Sequence, residues 1–247
     1  MNRGRTKTFD AYTRRARLAP ALVASFPALA LIGVSLTAAD QALRAGGTII
    51  GALGLVVCGL VRDRGRQIQE DLWEGWGGSP TLTRLRWRGV ENSGQTERLH
   101  EKLSAILGRA LPTEGEERAD PVEADRHYDE AVAALRHRTI RRASFPLVFE
   151  ENCEYGFRRN SLGLKNIAQA VSLASLVASG VLLFLAEGSF GSRVSRWGLS
   201  GGASLVMLLY WTFLVNERWV RRAAETYADR LFEALEGLAS GQARPSS

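Results

Sequence analysis

The residues whose types could support catalysis are few in this chain. The sequence holds three histidines, His100, His127 and His137, and no pair of them has the spacing of zinc ligands. It has no phosphate-binding glycine loop of the GxxxxGK[ST] form and no nucleophile beside an obvious base. The run His127–Glu130 is typical of an exposed helix turn. We therefore expect no catalytic residue, no metal site and no cofactor, and a protein that is not an enzyme.

Arginines are the clearest candidates for ligand binding. In the run TLTRLRWR, Arg84, Arg86 and Arg88 alternate with other residues, which predicts a strand with three arginines on one face. Guanidinium groups bind phosphates, and tryptophans stack on nucleobases, so Trp76 and Trp87 are the stacking candidates. A solvated strand face paired with nearby acids would give the same pattern.

A second basic cluster supplies four more candidates for phosphate contact, Arg141, Arg142, Arg158 and Arg159. Each has a structural alternative. The first two follow a predicted helix, whose negative C-terminal end favours cations. The other two, together with Lys165, precede an apolar run and would suit contact with lipid headgroups.

The positive charge of the chain is concentrated at one end. The net charge is +6 and the isoelectric point about 9.8. Residues 1–17 carry six basic residues against one acid, whereas residues 62–165 carry eighteen of each sign. A basic tail beside a membrane segment is typical of the cytoplasmic side of a membrane protein. The overall charge is therefore no evidence for nucleic-acid binding.

Four apolar stretches indicate a membrane protein. Three of them approach or exceed the length that crosses about 30 Å of hydrocarbon, while the second is short and could be a buried helix of a soluble domain. The first could also be a signal peptide. We predict an α-helical membrane protein with four transmembrane helices in two pairs (2+2). The four stretches are Leu18–Ala39, Thr48–Val61, Ile167–Ala186 and Leu199–Val215.

A cytosolic domain is predicted between the two pairs. It is expected to be small and mainly helical (α+β), with helix starts at Ser93, at Asp120 and near Pro146. The protein is expected to be multi-pass, with both termini in the cytoplasm. The predicted segments are a basic tail (1–17), a first transmembrane hairpin (18–61), the cytosolic domain (62–165), a second hairpin (166–215), an amphipathic helix (216–240) and a disordered tail (241–247).

Polar residues mark one face of the third apolar stretch. Gln169, Ser172, Ser175 and Ser179 fall on one side of a helical wheel, where they either bond to neighbouring helices or line a wet path. We keep them as pore-lining candidates beside the packing alternative. Gly163, just before this stretch, is the predicted hinge.

Two blocks of the sequence resemble a known family. DLWEGWGGSPTLTRLRWR and FPLVFEENCEYGFRRNSLGLKNIA are similar to sequence in small bacterial membrane proteins of anti-phage operons, in particular the membrane effector of the Hailong type. In that type a partner nucleotidyltransferase makes an oligonucleotide that binds the effector and controls its opening. The resemblance implies the same class of function for this chain, but it transfers no individual ligand-binding residue.

Together these observations predict an oligomeric inner-membrane effector, with a tetramer as the working assumption. Its expected partners are the lipid bilayer, further copies of itself, and a nucleotide or single-stranded oligonucleotide made by a partner nucleotidyltransferase. The ligand would bind the cytosolic domain and gate an ion-conducting or membrane-disrupting assembly. The alternative is a non-conducting membrane scaffold that recruits a cytosolic partner. A membrane-bound enzyme would need a pocket of acids and histidines that the spacing does not indicate.

Overall fold

The computed structural model describes residues 11–35, 61–88, 93–185 and 189–239 of the 247-residue chain. Within these ranges the regular elements are helices, and no strand occurs. The helices are α1 (Thr13–Ser35), α2 (described over 61–75), α3 (Pro80–Thr83), α4 (Ser93–Leu107), α5 (Glu114–Ala119), α6 (Pro121–Arg138), α7 (Pro146–Leu185), α8 (Phe190–Leu214) and α9 (Glu217–Ala239).

The chain divides into two compact units. Unit 1 comprises Met1–Glu70 and Gly156–Val220, and unit 2 comprises Asp71–Tyr155 and Arg221–Ser247. The chain passes from one unit to the other three times, and each passage lies inside a helix, namely α2, α7 or α9.

Among the described residues, three helices that lie wholly or mostly in unit 1 are long and apolar enough to cross a membrane. They are α1, α7 and α8, with 23, 40 and 25 residues, and a membrane helix needs about 20. Large apolar side chains such as Leu173, Val177 and Val206 are exposed on them, as expected for surfaces that face lipid. The buried core of this unit includes Ala21, Ala24, Val61, Leu164, Ala168, Trp211 and Val215.

The predicted arrangement of two transmembrane pairs is wrong. The described residues contain three candidate membrane helices, and the predicted third span is the C-terminal part of the 40-residue helix α7. No helix breaker separates the water-soluble and apolar parts of α7, so the backbone hydrogen bonding continues through both. The predicted second span lies outside the described residues except for Val61.

Unit 2 is built around α6, which contacts α3, α4 and α5. Its buried face carries Tyr128, Val132 and Leu135. The helix begins as its sequence predicts, because the Asp120 carboxylate accepts a hydrogen bond from the amide of Glu123 and Pro121 occupies the first turn. The amphipathic helix α9 adds a further buried face to this unit, formed by Ala223, Ala224, Tyr227, Ala228, Leu231, Phe232 and Leu235.

The predicted strand at residues 81–88 is wrong, and so is the α+β class of the predicted domain. Pro80–Thr83 is a single helical turn, and residues 84–88 follow it as a turn. The Ser79 hydroxyl caps this helix by accepting from the amide of Leu82, with Pro80 in the first turn. A local helix-start signal therefore outweighs the alternating pattern, since no neighbouring strand is present among the described residues to pair with it.

Candidate functional site

Two of the predicted phosphate-binding arginines are paired with carboxylates inside unit 2. Arg86 donates two hydrogen bonds to the Asp125 carboxylate, both at 2.8 Å, and a third to the Gly77 carbonyl. Arg88 donates to Asp125 at 2.6 Å and to Glu117 at 3.0 Å. Arg86 and Arg88 thus fix the turn at 84–88 to α5 and α6, and a phosphate would have to displace these carboxylates to reach them.

Glu117 of α5 binds the same turn and is only 2% exposed. Its carboxylate accepts hydrogen bonds from the amides of Trp87 and Arg88 and from the Tyr128 hydroxyl, in addition to the Arg88 guanidinium. Burial alone would raise the pKa of Glu117, but the hydrogen bonds from Trp87, Tyr128 and Arg88 outweigh it, so the pKa is lowered. The carboxylate is therefore ionised and fully occupied within the fold.

The stacking candidate Trp87 packs within an aromatic cluster. Its ring meets His100 edge to face at 4.9 Å, and its indole Nε1 donates to the Pro112 carbonyl at 3.0 Å. His100 lies 5.3 Å from Tyr128 and is bonded through Nε2 to the Leu85 carbonyl at 2.7 Å. Because a carbonyl can only accept, Nε2 carries the proton. Burial lowers the pKa of His100, which favours the neutral ring.

The third arginine, Arg84, lies in a groove of unit 2. Two adjoining clefts share it, one of about 300 Å³ and one of about 140 Å³. We call their combined lining the Arg84 groove. The larger cleft is lined by Gln95, Arg98, Leu99, Lys102, Asp229, Phe232, Glu233 and Glu236, and the smaller by Trp76, Gly78, Pro80, Thr83, Arg221 and Glu225.

The Arg84 groove brings one predicted arginine and one predicted tryptophan together. The guanidinium of Arg221 lies over the ring of Trp76, 5.7 Å from its centroid. Such a cation–aromatic pair presents a flat surface with positive charge, to which a nucleobase with its phosphate can bind. Of the seven predicted arginines, Arg84 is the one that lines this groove.

Three cations of the groove pair with acids on α9. Arg84 pairs with Asp229, Lys102 with Glu236 at 3.0 Å, and Arg221 with Glu225 at 2.9 Å. These ion pairs are open to solvent, and pairs of this kind contribute about 0–1 kcal/mol each. An incoming anion can therefore replace a carboxylate at little cost in free energy.

Sequence reasoning missed most residues of this groove. Arg98 and Lys102 lie four residues apart on α4, and the acids of α9 recur at positions 225, 229, 233 and 236. Both spacings place side chains on one helix face, so each stripe could have been read from the sequence. That the two stripes face each other is a tertiary fact.

The second predicted arginine cluster is divided between the two units. In unit 2, Arg141 is exposed, and Arg142 lies over the Phe149 ring at 4.9 Å and 3.4 Å from Glu150. Arg158 and Arg159 belong to unit 1. Their phosphate-binding role stays a prediction.

In unit 1, the two arginines contact neighbouring helices. Arg158 donates to the Trp219 carbonyl at 3.1 Å and lies over the same indole ring, 5.0 Å from its centroid. Arg159 donates to the side chain of Gln69 on α2. These contacts tie α7 to α9 and to α2.

The motif that contains these arginines packs α7 closely against α1 and α2. A Cβ atom on Gly156 would come within 2.8 Å of Ala16, and one on Gly163 within 3.3 Å of the Arg64 backbone. Asn160 is fully buried and donates to the Ala16 carbonyl at 2.5 Å. The helix is unbroken at Gly163, whose predicted role as a hinge stays a prediction.

The serine stripe of α7 is buried inside unit 1. Ser172, Ser175 and Ser179 are all buried, and the Ser179 hydroxyl bonds to Ser200 of α8 at 3.1 Å. Gln169 donates to the Thr212 hydroxyl of α8 at 3.1 Å. These contacts match the packing alternative within one chain. A pore-lining role, which stays a prediction, would require α7 and α8 to separate.

A third cleft in unit 2 is acidic, but its carboxylates already have partners within the fold. It measures about 410 Å³ and is lined by Glu116, Asp120, Glu123 and His127 together with apolar residues. Glu116 and Asp120 cap helices, and Glu123 pairs with Arg126. Among the described residues no group of histidines, cysteines and acids is arranged to hold a metal ion.

Comparison of the chain with known protein families, with curated proteins and with solved structures finds no match.

Proposed function

We propose that this protein is an oligomeric membrane effector of anti-phage defence in the bacterial inner membrane, gated by a nucleotide or oligonucleotide from a partner nucleotidyltransferase. The ligand binds the Arg84 groove, which lies in unit 2. The observation that carries this proposal is the convergence of Arg84, Arg98, Lys102 and Arg221 on one groove beside the indole of Trp76. The resemblance of two sequence blocks to such effectors supports it.

The groove offers a physical means of gating. A ligand changes an equilibrium only if it binds one state more tightly than the other. Here the ligand phosphate competes with Asp229 for Arg84, and Asp229 belongs to α9. Binding therefore releases an attachment of α9, the helix that follows the apolar helix α8 in the chain.

The binding site is tested by titrating the purified protein in detergent with ATP and with a short single-stranded oligodeoxynucleotide at several salt concentrations. We expect Arg84→Ala and Arg98→Ala each to weaken binding about tenfold or more, since each removes a charge-assisted contact. Each should also reduce the salt dependence of log Kd by about 0.7.

Arg118→Ala is the matched control, because Arg118 is an exposed arginine of unit 2 that pairs with Glu114 outside the groove. Binding that does not depend on salt, or that Arg118→Ala weakens equally, contradicts the assignment of the Arg84 groove.

Gating is tested by ion flux from liposomes that carry the protein, with and without the oligodeoxynucleotide. A change in flux that Arg84→Ala abolishes is the expected result. The absence of flux in both conditions favours the scaffold alternative. One observation favours that alternative: Ile140 and Leu147 are 72% and 60% exposed beside Arg141 and Arg142, as on a surface that docks a partner.

A further inference from the structure

The chain leaves the helical conformation between α8 and α9. Val215 is extended, with φ −82° and ψ 98°, and stands between Leu214, the last residue of α8, and Asn216. The end of α8 is a wide turn in which the Val215 amide donates to the Tyr210 carbonyl at 3.3 Å. A helix end of this kind leaves carbonyl groups without partners in the same helix.

Asn216 satisfies both sides of this break. Its side-chain amide donates to the carbonyls of Phe213 and Leu214, each at 3.2 Å. Its side-chain carbonyl accepts from the amide of Trp219 at 3.0 Å, which caps the start of α9. One side chain thus closes the end of one helix and the beginning of the next.

Lys165 of α7 ties the break to a neighbouring helix. Its ammonium group donates to the Val215 carbonyl at 2.8 Å and to the Thr212 carbonyl at 3.4 Å. A cation at a helix C-terminus is favoured both by the unpaired carbonyls and by the helix dipole. Two turns earlier on α7, Phe157 and Arg158 contact the ring of Trp219 in the first turn of α9.

We propose that Val215–Asn216 is the hinge at which α9 moves relative to α8, and that Lys165 is the latch that holds this hinge closed. The break is the point in this part of the chain where backbone direction changes without helical hydrogen bonds, so a change of angle there disrupts no helix. Opening the hinge requires the Lys165 ammonium to leave the two carbonyls. The proposal depends neither on which ligand binds the other unit nor on whether the protein conducts ions.

The experiment measures amide hydrogen exchange of residues 213–222 by mass spectrometry, on the full-length protein in detergent micelles. Lys165→Met keeps the length of the side chain and removes the charge and the donors. We expect exchange of these amides to rise about fivefold to tenfold, since a hydrogen bond from a charged group is lost. Lys165→Arg, which retains charge and donors, should restore most of the protection.

Gln169→Leu is the matched control, because Gln169 lies one turn further along α7 and contacts the Thr212 side chain but not the break. It should leave exchange at 213–222 unchanged. If Lys165→Met exchanges like the natural protein, or if Gln169→Leu raises exchange equally, the latch is rejected.

A second variant changes a residue of the hinge itself and leaves α7 unaltered. Asn216→Asp keeps the acceptor that caps α9 but loses both donors to the end of α8. It should raise exchange in the same segment even if Lys165→Met does not fold. Unchanged exchange in Asn216→Asp overturns the hinge.

Discussion

Glu117 is the residue on which the turn at 84–88 depends most. It is buried and accepts from two amides, a guanidinium and a hydroxyl, so every donor around it loses a partner if it changes. Arg88, which Glu117 binds, and Arg86, which Asp125 binds, were predicted ligand contacts. In the structure, their ion pairs hold the segment that contains Arg84 to α5 and α6.

We expect Glu117→Gln to lower the free energy of unfolding by about 2–3 kcal/mol, because an amide nitrogen replaces one acceptor oxygen and faces donors. Thermal unfolding of the purified protein measures the effect. Glu114→Gln is the control, since Glu114 is exposed and pairs with Arg118; it should change stability by less than about 0.5 kcal/mol. Equal melting temperatures of the two variants would contradict the role of Glu117 in holding the turn.

Acidification should destabilise unit 2 through two groups. The pKa of His100 is lowered from its ordinary value of 6.5, chiefly by burial, so below pH 6.5 the unfolded chain binds a proton that the folded one does not. Stability from this group is thus lost as the pH falls through 6.5 toward the folded pKa. Glu117, also with a lowered pKa, contributes stability that is present above the ordinary glutamate pKa and is lost at lower pH.

We expect the melting temperature to fall between pH 7 and pH 5. His100→Gln retains a donor for the Leu85 carbonyl and should flatten the curve in this interval. A curve that is equally steep in the variant would assign the effect to other groups.

At the scale of elements, α7 packs closely against its neighbouring helices. Gly156 stands where α1 leaves no room for a Cβ atom, and Gly163 stands where the backbone of α2 leaves little. The buried Asn160 lies between them. Gly156, Asn160 and Gly163, which belong to the stretch that resembles a family motif, therefore have a packing explanation in this structure.

We expect Gly156→Ala to cost about 1–3 kcal/mol, because its Cβ would lie 2.8 Å from the Ala16 Cβ. Gly180→Ala is the control on the same helix, where a Cβ meets nothing within 4 Å, and it should be neutral or slightly stabilising. Thermal unfolding in detergent compares them. If both variants melt alike, the close approach of α1 to α7 does not limit stability.

Local signals in the sequence predicted where helices form better than they predicted which segments pack together. Asp120, Pro121 and Pro146 mark helix starts that the structure has, and the apolar runs correspond to helices where they are described. The alternation at 81–88 failed because a strand needs a neighbour, which no local pattern can supply. The Arg84 groove was missed for the same reason: its two sides are more than 100 residues apart in sequence.

At the scale of the molecule, each compact unit is discontinuous in sequence. Unit 2 takes its last buried face from α9, after the chain has passed through unit 1. The buried side chains of α9 include Tyr227, Leu231 and Leu235, and each contributes about 1.5–3 kcal/mol. Their sum is comparable with the whole stability of a domain of this size.

We expect a chain that stops after Asn216 to leave residues 71–155 without a stable fold. Limited proteolysis should cut this segment at least about tenfold faster than in the full chain. A chain that stops after Ala239 keeps α9 and is the control, with cleavage like that of the full chain. Equal resistance of the two shortened chains would mean that residues 71–155 fold without α9.

The late position of α9 also sets an order of events during synthesis. The ribosome releases α9 only after the apolar helices α1, α7 and α8 have been made. The acids at 225, 229, 233 and 236 complete the Arg84 groove, so the groove cannot be complete on a nascent chain that has not reached residue 236. Under the function proposed above, the ligand can therefore bind only after the three apolar helices have been synthesised.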